Sequence, residues 1–345
     1  MDARVAAGAS ARAHSADLSV VVIIPLYNGV KWVEQALRSV LAQTLPPDEC
    51  IVVDDGSTDG GAGAAMVARL AMEYPITLLH KPNGGQSSAR NFGVAHSSSA
   101  LIAFLDQDDA WYPNHLVELQ KPFRKDHGAP LGWVYSDLDR IDENGSLFCK
   151  SLLSTLPNEH PKRHICSCLR QDMFVLPSAS LISRKAFEAV GGFDERLCGY
   201  EDDDLFLRLF RAGYDNVFIP KPLSKWRIYQ GSTSRTERMA RSRLLYAEKL
   251  FAAFPDDRAQ MISYGRDLIA PRFIRTAFFD TVLAIWANDS KRRRLNLDGI
   301  ALLASRCTLL HRITTLFAAR VLGIASLAGP AIAAALLLRR FRARH

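Results

Sequence analysis

At 345 residues, with 48% hydrophobic and 23% charged residues, the chain is long enough for about two domains and has a globular composition. That excludes collagenous, wholly disordered and many-spanning membrane proteins. Residues 291–345 hold eleven Lys/Arg against one acid, Asp298, whereas residues 1–290 hold 32 bases against 35 acids. The basic excess belongs to the tail, so a nucleic-acid-binding body is not expected. Six scattered cysteines without a CxxC give no disulfide framework and no zinc cluster, and point to a reducing compartment.

Residues 1–17 are Ala-rich, lack the apolar core of a secretory signal, and read as a disordered lead. Val20 to Pro25 is a β-branched run, the pattern of a strand buried on both faces. Val30 to Gln43 has helical spacing, Cys50 to Val53 reads as a strand, Gly60 to Tyr74 as a helix and Ile76 to Leu79 as a third strand. Gln86 to Ala95 reads as a helix and Leu101 to Leu105 as a fourth strand. Strands alternating with helices predict a mostly parallel α/β sheet flanked by helices. Beyond Asn114 the pattern loosens. His115 to Lys125 is helical, Gly132 to Tyr135 strand-like, and Asp142 to Gly145 a hairpin turn. Ser178 to Ile182 and Val217 to Ile219 read as short strands, and Tyr200 to Ala212 as an amphipathic helix stopped by Gly213. From about Arg235 the chain reads as helical to its end.

Ligands of open α/β sheets bind beyond the carboxyl ends of the strands. Three polar clusters fall there: Pro25 to Asn28, Val53 to Gly60 (VDDGSTDG) and Phe104 to Asp109 (FLDQDD). Each alone is ordinary turn chemistry; three on one rim suggest a site. Neither GxGxxG nor GxxxxGK[ST] follows the first strand, which weakens dinucleotide and P-loop readings. Asp106 and Asp108 offer oxygen ligands to a hard divalent cation, which typically completes its shell with phosphate oxygens and water. A metal diphosphate is therefore the natural ligand. The run Glu201 to Asp204 opens a helix, where acids also simply suit the dipole. Four like charges fanned at 100° cannot share one role: one is expected at the acceptor, another against Arg208 or Lys225.

Residues 18–234 resemble the family-two glycosyltransferases, inverting enzymes of GT-A fold. The motifs are IPLYNG from Ile24, VDDGSTDG from Val53, NGGQSSARNFG from Asn83, FLDQDD from Phe104, GGFDE from Gly191 and EDDDLFLR from Glu201. The resemblance implies a GT-A sheet with a helical C-terminal region (235–345), and transfer of one sugar from a nucleotide-diphosphate sugar, UDP being the first guess. The acceptor would be a glycan or lipid-linked hydroxyl in cell-surface polysaccharide synthesis. In nucleotide binding, Pro25 and Tyr27 would line the base with Asn28 beside them, Asp55 would read its edge and Asp54 support it. Gly85 to Arg90 would close over the nucleotide. Asp106 would reach the ribose or a Mn2+ or Mg2+ ion, and Asp108 would be the main metal ligand. Asp202 would be the catalytic base with Glu201 beside it. Tyr229 stands where many relatives have histidine, and Arg227, Tyr229 and Asp109 are candidates for the diphosphate or acceptor. The QxxRW pattern of processive synthases is missing. Gly191 to Phe193 reads as chiefly structural.

Val321 to Leu338 is uncharged but short for a span, broken by Gly329-Pro330 and basic on both flanks. A helix or broken hairpin in the inner membrane face is the preferred reading for residues 301–345, packing on the catalytic domain or a twin subunit the competing one. The expected location is the cytoplasm, peripheral at the cell membrane, with oligomerisation left open. Two rival functions are a non-catalytic sugar-nucleotide or glycan-binding relative, opposed by Asp106, Asp108 and Asp202, and a nucleotidyltransferase. The latter would carry a Gly-rich, Lys-bearing loop after the first strand, and Pro25 to Val30 has none.

Overall fold

The structure, a computed structural model, describes residues 17–229, 237–257, 259 and 261–325. The β-branched run forms β1 (Val20–Leu26), buried throughout. Strand alternation divides its side chains between two cores. Val20, Val22, Ile24 and Leu26 pack with helices α1 (Val33–Leu41), α2 (Ala62–Ala71) and α4 (His115–Gln120). Val21 and Ile23 pack on the other face with α3 (Gln86–Ala95), α6 (Arg184–Ala189) and α7 (Glu201–Arg211).

Parallel strands β2 (Glu49–Asp54) and β4 (Leu101–Phe104) flank β1, and β3 (Thr77–His80) extends β2. The sheet runs β3-β2-β1-β4-β8-β6-β9-β5, with β7 (Leu147–Cys149) on β6. Here β5 is Ala110–Trp111, β6 Leu131–Ile141, β8 Ser180–Ser183 and β9 Asp215–Arg227. β8 is antiparallel to β4 and β6, β6 and β9 pair in parallel, and β5 is antiparallel to β9. The order reverses at β1, between β2 and β4, so the carboxyl ends of these strands open a crevice.

Two strands are longer than read: Gly132 to Tyr135 lies within β6, of 11 residues, and Val217 to Ile219 within β9, of 13. Pro220 and Pro222 hid β9, because proline within a run argues against a strand. The register absorbs them: Ile219 pairs with Ser136 and Pro222 with Asp137, and the residues between bulge out. The short helix α5 (Ile165–Arg170), together with α6, β5 and β7, had no periodicity long enough to read.

The described C-terminal part is helical as expected: α8 (Glu237–Ala253), α9 (Ala270–Trp286), α10 (Ser290–Ala304) and α11 (Leu309–Ala325). Tyr246 and Leu250 of α8 and Phe273 of α9 share one core with Leu205, Phe206 and Leu209 of α7. Residues 1–16 of the expected lead, the junction at 230–236 and residues 326–338 of the apolar run lie outside the described residues. No described helix is long and apolar enough to cross a membrane.

Candidate active site

The three strand-end loops are bonded to one another. Gln107 clamps Tyr27: its amide accepts from the Tyr27 N–H at 2.8 Å and donates to the Tyr27 carbonyl at 3.0 Å. A side chain on Gly29 would put its Cβ 2.1 Å from Gln107 Oε1, so the clamp requires glycine there. The Tyr27 ring, 45% exposed, is left free for stacking. Asn28 reaches the next loop, accepting from the Thr58 N–H at 2.7 Å while its own N–H donates to Ser57 Oγ at 3.0 Å. Pro25 is buried in β1 opposite Val53.

Asp54 shapes the β2 turn, accepting from the Ser57 N–H at 3.1 Å and pairing with His80 at 3.1 Å. Asp55 is buried, and its carboxylate accepts from Lys81 Nζ (2.6 Å), Gly84 N–H (2.9 Å) and Gly85 N–H (2.7 Å). In this conformation Asp55 therefore holds the loop that leads into α3. Gly85 sits there at φ +87°, a left-handed value natural to glycine. Sequence reasoning missed Lys81, and a lone lysine before Pro82 carries no signal.

Arg90 is the hub between this loop, β4 and α7. It is 1% exposed, and its Nη2 lies 2.5 Å from Asp106 and its Nη1 3.2 Å from Glu201. Gln86 donates to the same Glu201 carboxylate. The face of Phe193 lies 5.2 Å from the guanidinium. Phe193 itself is buried against Phe104 and Phe187, with its N–H and carbonyl clasped by the Asn91 amide. That is the structural role expected of the Gly191 to Phe193 turn.

Beyond Asp106 the loop carries two further acids. Asp109 is buried and accepts from the Arg227 N–H at 3.0 Å; burial, then Asp108 and Asp106, push its pKa well above the ordinary carboxylate range. Burial and the charge of Asp106 push Asp108 up to about 6, although it accepts a hydrogen bond from Tyr229. Burial and Asp108 raise the Tyr229 hydroxyl, so it stays a donor, and its ring lies 4.6 Å from that of Trp32. Arg227 points inward, 2% exposed. It donates to the carbonyls of Asp108 (2.7 Å), Asp142 (3.0 Å) and Glu143 (3.1 Å) and to Gln35 (2.6 Å). These bonds fasten the acidic loop to β9 and the β6–β7 turn.

The donor set fits a hard divalent cation. Asp106 and Asp108 supply two hard oxygens whose mutual repulsion a cation would relieve. Among the described residues no three His, Cys, Asp or Glu side chains form a complete cage. That suits an ion that takes its remaining ligands from phosphate and water.

The four acids of α7 separate as their 100° spacing requires. Glu201 faces Arg90. Asp203 is bonded by Tyr246 and Arg272 at 2.7 and 2.8 Å. Asp204 pairs with Arg208 at 2.7 Å and Lys249 at 2.6 Å, whereas Lys225 lies over the Tyr112 ring. Asp202 is half-buried and, among the described residues, has no Lys, Arg or His within 4.0 Å. Burial, then the charges of Glu201, Asp172 and Asp203, raise its pKa well above the ordinary value. Asp172, from the segment before β8, is a neighbour the sequence did not announce.

A sheet whose switch point carries this rim defines a nucleotide-sugar-type α/β fold. The family model described as "Glycosyl transferase family 2" matches residues 21–191, and one described as "N-terminal domain of galactosyltransferase" matches residues 177–232. An uncharacterised glycosyltransferase of Rickettsia prowazekii is 32% identical over 248 residues, which are 68% of this chain and 71% of that protein. One from Rickettsia bellii is 33% identical over 229 residues, 62% of this chain but only 30% of that protein. The chain thus spans less than half the length of several of the curated relatives it matches. Staphylococcus aureus TarS 1–349, solved in complex with UDP-GlcNAc, shares the fold with a TM-score of 0.63 at 17% identity, covering 89% of each chain. A mannosyltransferase from Pyrobaculum calidifontis, solved with GDP-Man and Mn2+, does so at 0.53 and 17% identity, covering 94% of this chain and 88% of that one. The chain belongs to glycosyl transferase family 2 and has the GT-A fold.

Proposed function

We propose that the chain transfers one sugar from a nucleoside diphosphate sugar, UDP-linked in the first instance, to a glycan or lipid-linked hydroxyl, with inversion. The observation that carries this is Asp202, the one acid of the α7 run with no cation against it among the described residues. In the reaction the acceptor oxygen forms a bond to the anomeric carbon as the bond to the diphosphate oxygen breaks. Asp202 takes the hydroxyl proton, and the nucleoside diphosphate departs with the electron pair. A raised pKa suits this role, because general bases work best when matched to the operating pH. Tyr27 offers its exposed ring to the base, and the loop at Gly84 and Gly85, held by Asp55, lies across the nucleotide. Asp106 and Asp108 would hold a divalent cation, Mn2+ or Mg2+, which when bound supplies Lewis-acid stabilisation of diphosphate charge. Tyr229 orients the Asp108 carboxylate through its hydroxyl.

A lipid-linked acceptor would place the enzyme at a membrane face. Supporting this, α11 exposes Leu309, Leu310, Ile313 and Phe317, between 56% and 75% accessible, and Arg306, Arg312 and Arg320 accompany them. Each basic residue near an anionic lipid surface contributes about 1 kcal/mol.

The donor class is tested by thermal unfolding with UDP, dTDP, GDP and CDP, each with and without Mn2+. A ligand at 100 times its Kd adds about 2.7 kcal/mol. One nucleotide is expected to raise Tm in a Mn2+-dependent way, and Asp108→Asn to remove the Mn2+ dependence. A lack of shift with every nucleotide would overturn the nucleotide-sugar reading and favour a degenerate relative that binds glycan alone.

A further inference from the structure

The first turn of α7 is gripped from outside the sheet. Asp203 is buried, and each bond its carboxylate accepts comes from another segment: the Met173 N–H at 2.7 Å, the Tyr246 hydroxyl at 2.7 Å and Arg272 Nη2 at 2.8 Å. Tyr246 lies on α8 and Arg272 on α9, so two C-terminal helices converge on one carboxylate. Arg272 is itself buried, donates to the Cys168 carbonyl at 3.1 Å and lies 3.8 Å from Asp172. Tyr200, which precedes α7 at φ 63°, has its ring 5.7 Å from that of Tyr246. Its hydroxyl accepts from Arg243 at 3.4 Å, and Arg243 is tied to Asp280 and Asn296 at 3.0 and 2.9 Å.

A buried ionic set is a poor way to glue helices, since apolar side chains of similar volume do as well or better. What it fixes is geometry. Successive helical residues are 100° apart, so a pinned Asp203 fixes the direction of Asp202. We propose that Tyr246 and Arg272 are positioning residues for transfer: holding Asp203 from the C-terminal helices, they set the direction in which Asp202 meets the acceptor hydroxyl. The proposal rests on the reading of Asp202 as the base. The charged groups around Asp202 are Glu201 and Asp203 on its own helix, Asp172 from the segment before β8, and Arg90 from α3. Arg272, with the buried Lys162 as a weaker second cation, offsets Asp203 and Asp172, so the loss of Arg272 makes this acidic cluster hold protons to higher pH.

The test uses the full chain and nucleotide release, with water as acceptor, from whichever of UDP-GlcNAc, UDP-Glc, UDP-Gal and GDP-Man is turned over fastest. Active sites are counted by nucleotide binding. In Tyr246→Phe, kcat per site is expected to fall about tenfold while KM for the donor stays within about twofold, the pattern of a misplaced base. In Arg272→Gln the acid limb of the kcat profile moves to higher pH, and Arg272→Lys returns it. A merely structural role would reduce the number of active sites and leave kcat per site and the acid limb unchanged; that result overturns the proposal. Asp202→Asn separates the two readings. If it retains turnover, the base assignment has failed; if it is inactive while Tyr246→Phe matches the wild type, only the positioning has failed. Should Arg272→Gln not fold, Tyr246→Phe, which removes a single hydroxyl, decides. Where hydrolysis is below detection, a carbon NMR titration of the Asp202 carboxyl, assigned by its loss in Asp202→Asn, replaces it. An unmoved midpoint in Tyr246→Phe, and in Arg272→Gln where that variant folds, then refutes the proposal.

Discussion

Asp202→Asn is expected to separate activity from stability. Asparagine keeps the volume and the Oδ1 that accepts from the Asp203 N–H at 2.8 Å, so the helix start should persist. Loss of a general base costs about 10²–10⁴-fold in turnover, or about 2.7–5.5 kcal/mol of transition-state stabilisation. Stability should move the other way. The folded pKa of Asp202 lies above its unfolded value because of burial and the charges of Glu201, Asp172 and Asp203. The wild type therefore loses stability as pH rises from the unfolded carboxylate value, about 3.9, up to the folded one, at about 1.4 kcal/mol per pH unit. Asparagine has no proton to lose. The mutant should match the wild type below about pH 4 and exceed it increasingly above, levelling off beyond the folded pKa. Thermal unfolding across a pH series, beside nucleotide release per site, measures both. Turnover within about threefold of the wild type would refute the base, given the expected size of the effect. A mutant whose stability deficit grows with pH would refute the electrostatic account.

The other outcomes are simpler to state. Arg90→Met strands Glu201, 7% exposed, and part-buried Asp106 without their cation. Breaking a buried pair in this way costs about 3–5 kcal/mol, a Tm loss of roughly 6–20 °C for a domain of this size; a change under about 2 °C would show that the hub is not structural. Ile313→Asp and Phe317→Asp lie on the exposed face of α11 and should leave Tm unchanged. They should abolish co-sedimentation with phosphatidylglycerol vesicles, and unchanged pelleting would reassign that face to protein contact.

The parallel half of the sheet was legible because each of its elements carries an unmixed signal. VVVIIP leaves no choice but a strand covered on both faces, and the polar clusters necessarily follow strands that end on one rim. Legibility stopped where bonds connect residues far apart in sequence. Nothing local in Lys81, Gln107 or Asp172 announces that they hold Asp55, clamp Tyr27 or face Asp202. In the sequence Arg227 is a candidate for the diphosphate or acceptor, well beyond a strand read only over Val217 to Ile219. The structure makes that strand 13 residues long and buries the guanidinium among carbonyls, because the bulge at Pro220 and Lys221 lets β9 continue alongside β6.

The acidic run at α7 shows why composition alone underdetermines a site. A helix dipole accounts for acids in a first turn at about 0.3–1 kcal/mol each, yet offers no reason for four. Their partners do. Glu201 addresses α3 through Arg90, Asp203 the C-terminal helices through Tyr246 and Arg272, and Asp204 its own helix and α8 through Arg208 and Lys249. Three of the four charges are thus neutralised by cations from three directions, and these bonds prevent the turn from rotating. The fourth, among the described residues, has none within 4.0 Å and lies in a partly desolvated position between two like charges. A carboxylate in that position is held at higher energy than in water, and the simplest relief open to it is to accept a proton. The scaffold that keeps Asp202 from pairing is therefore the same one that would make it a base.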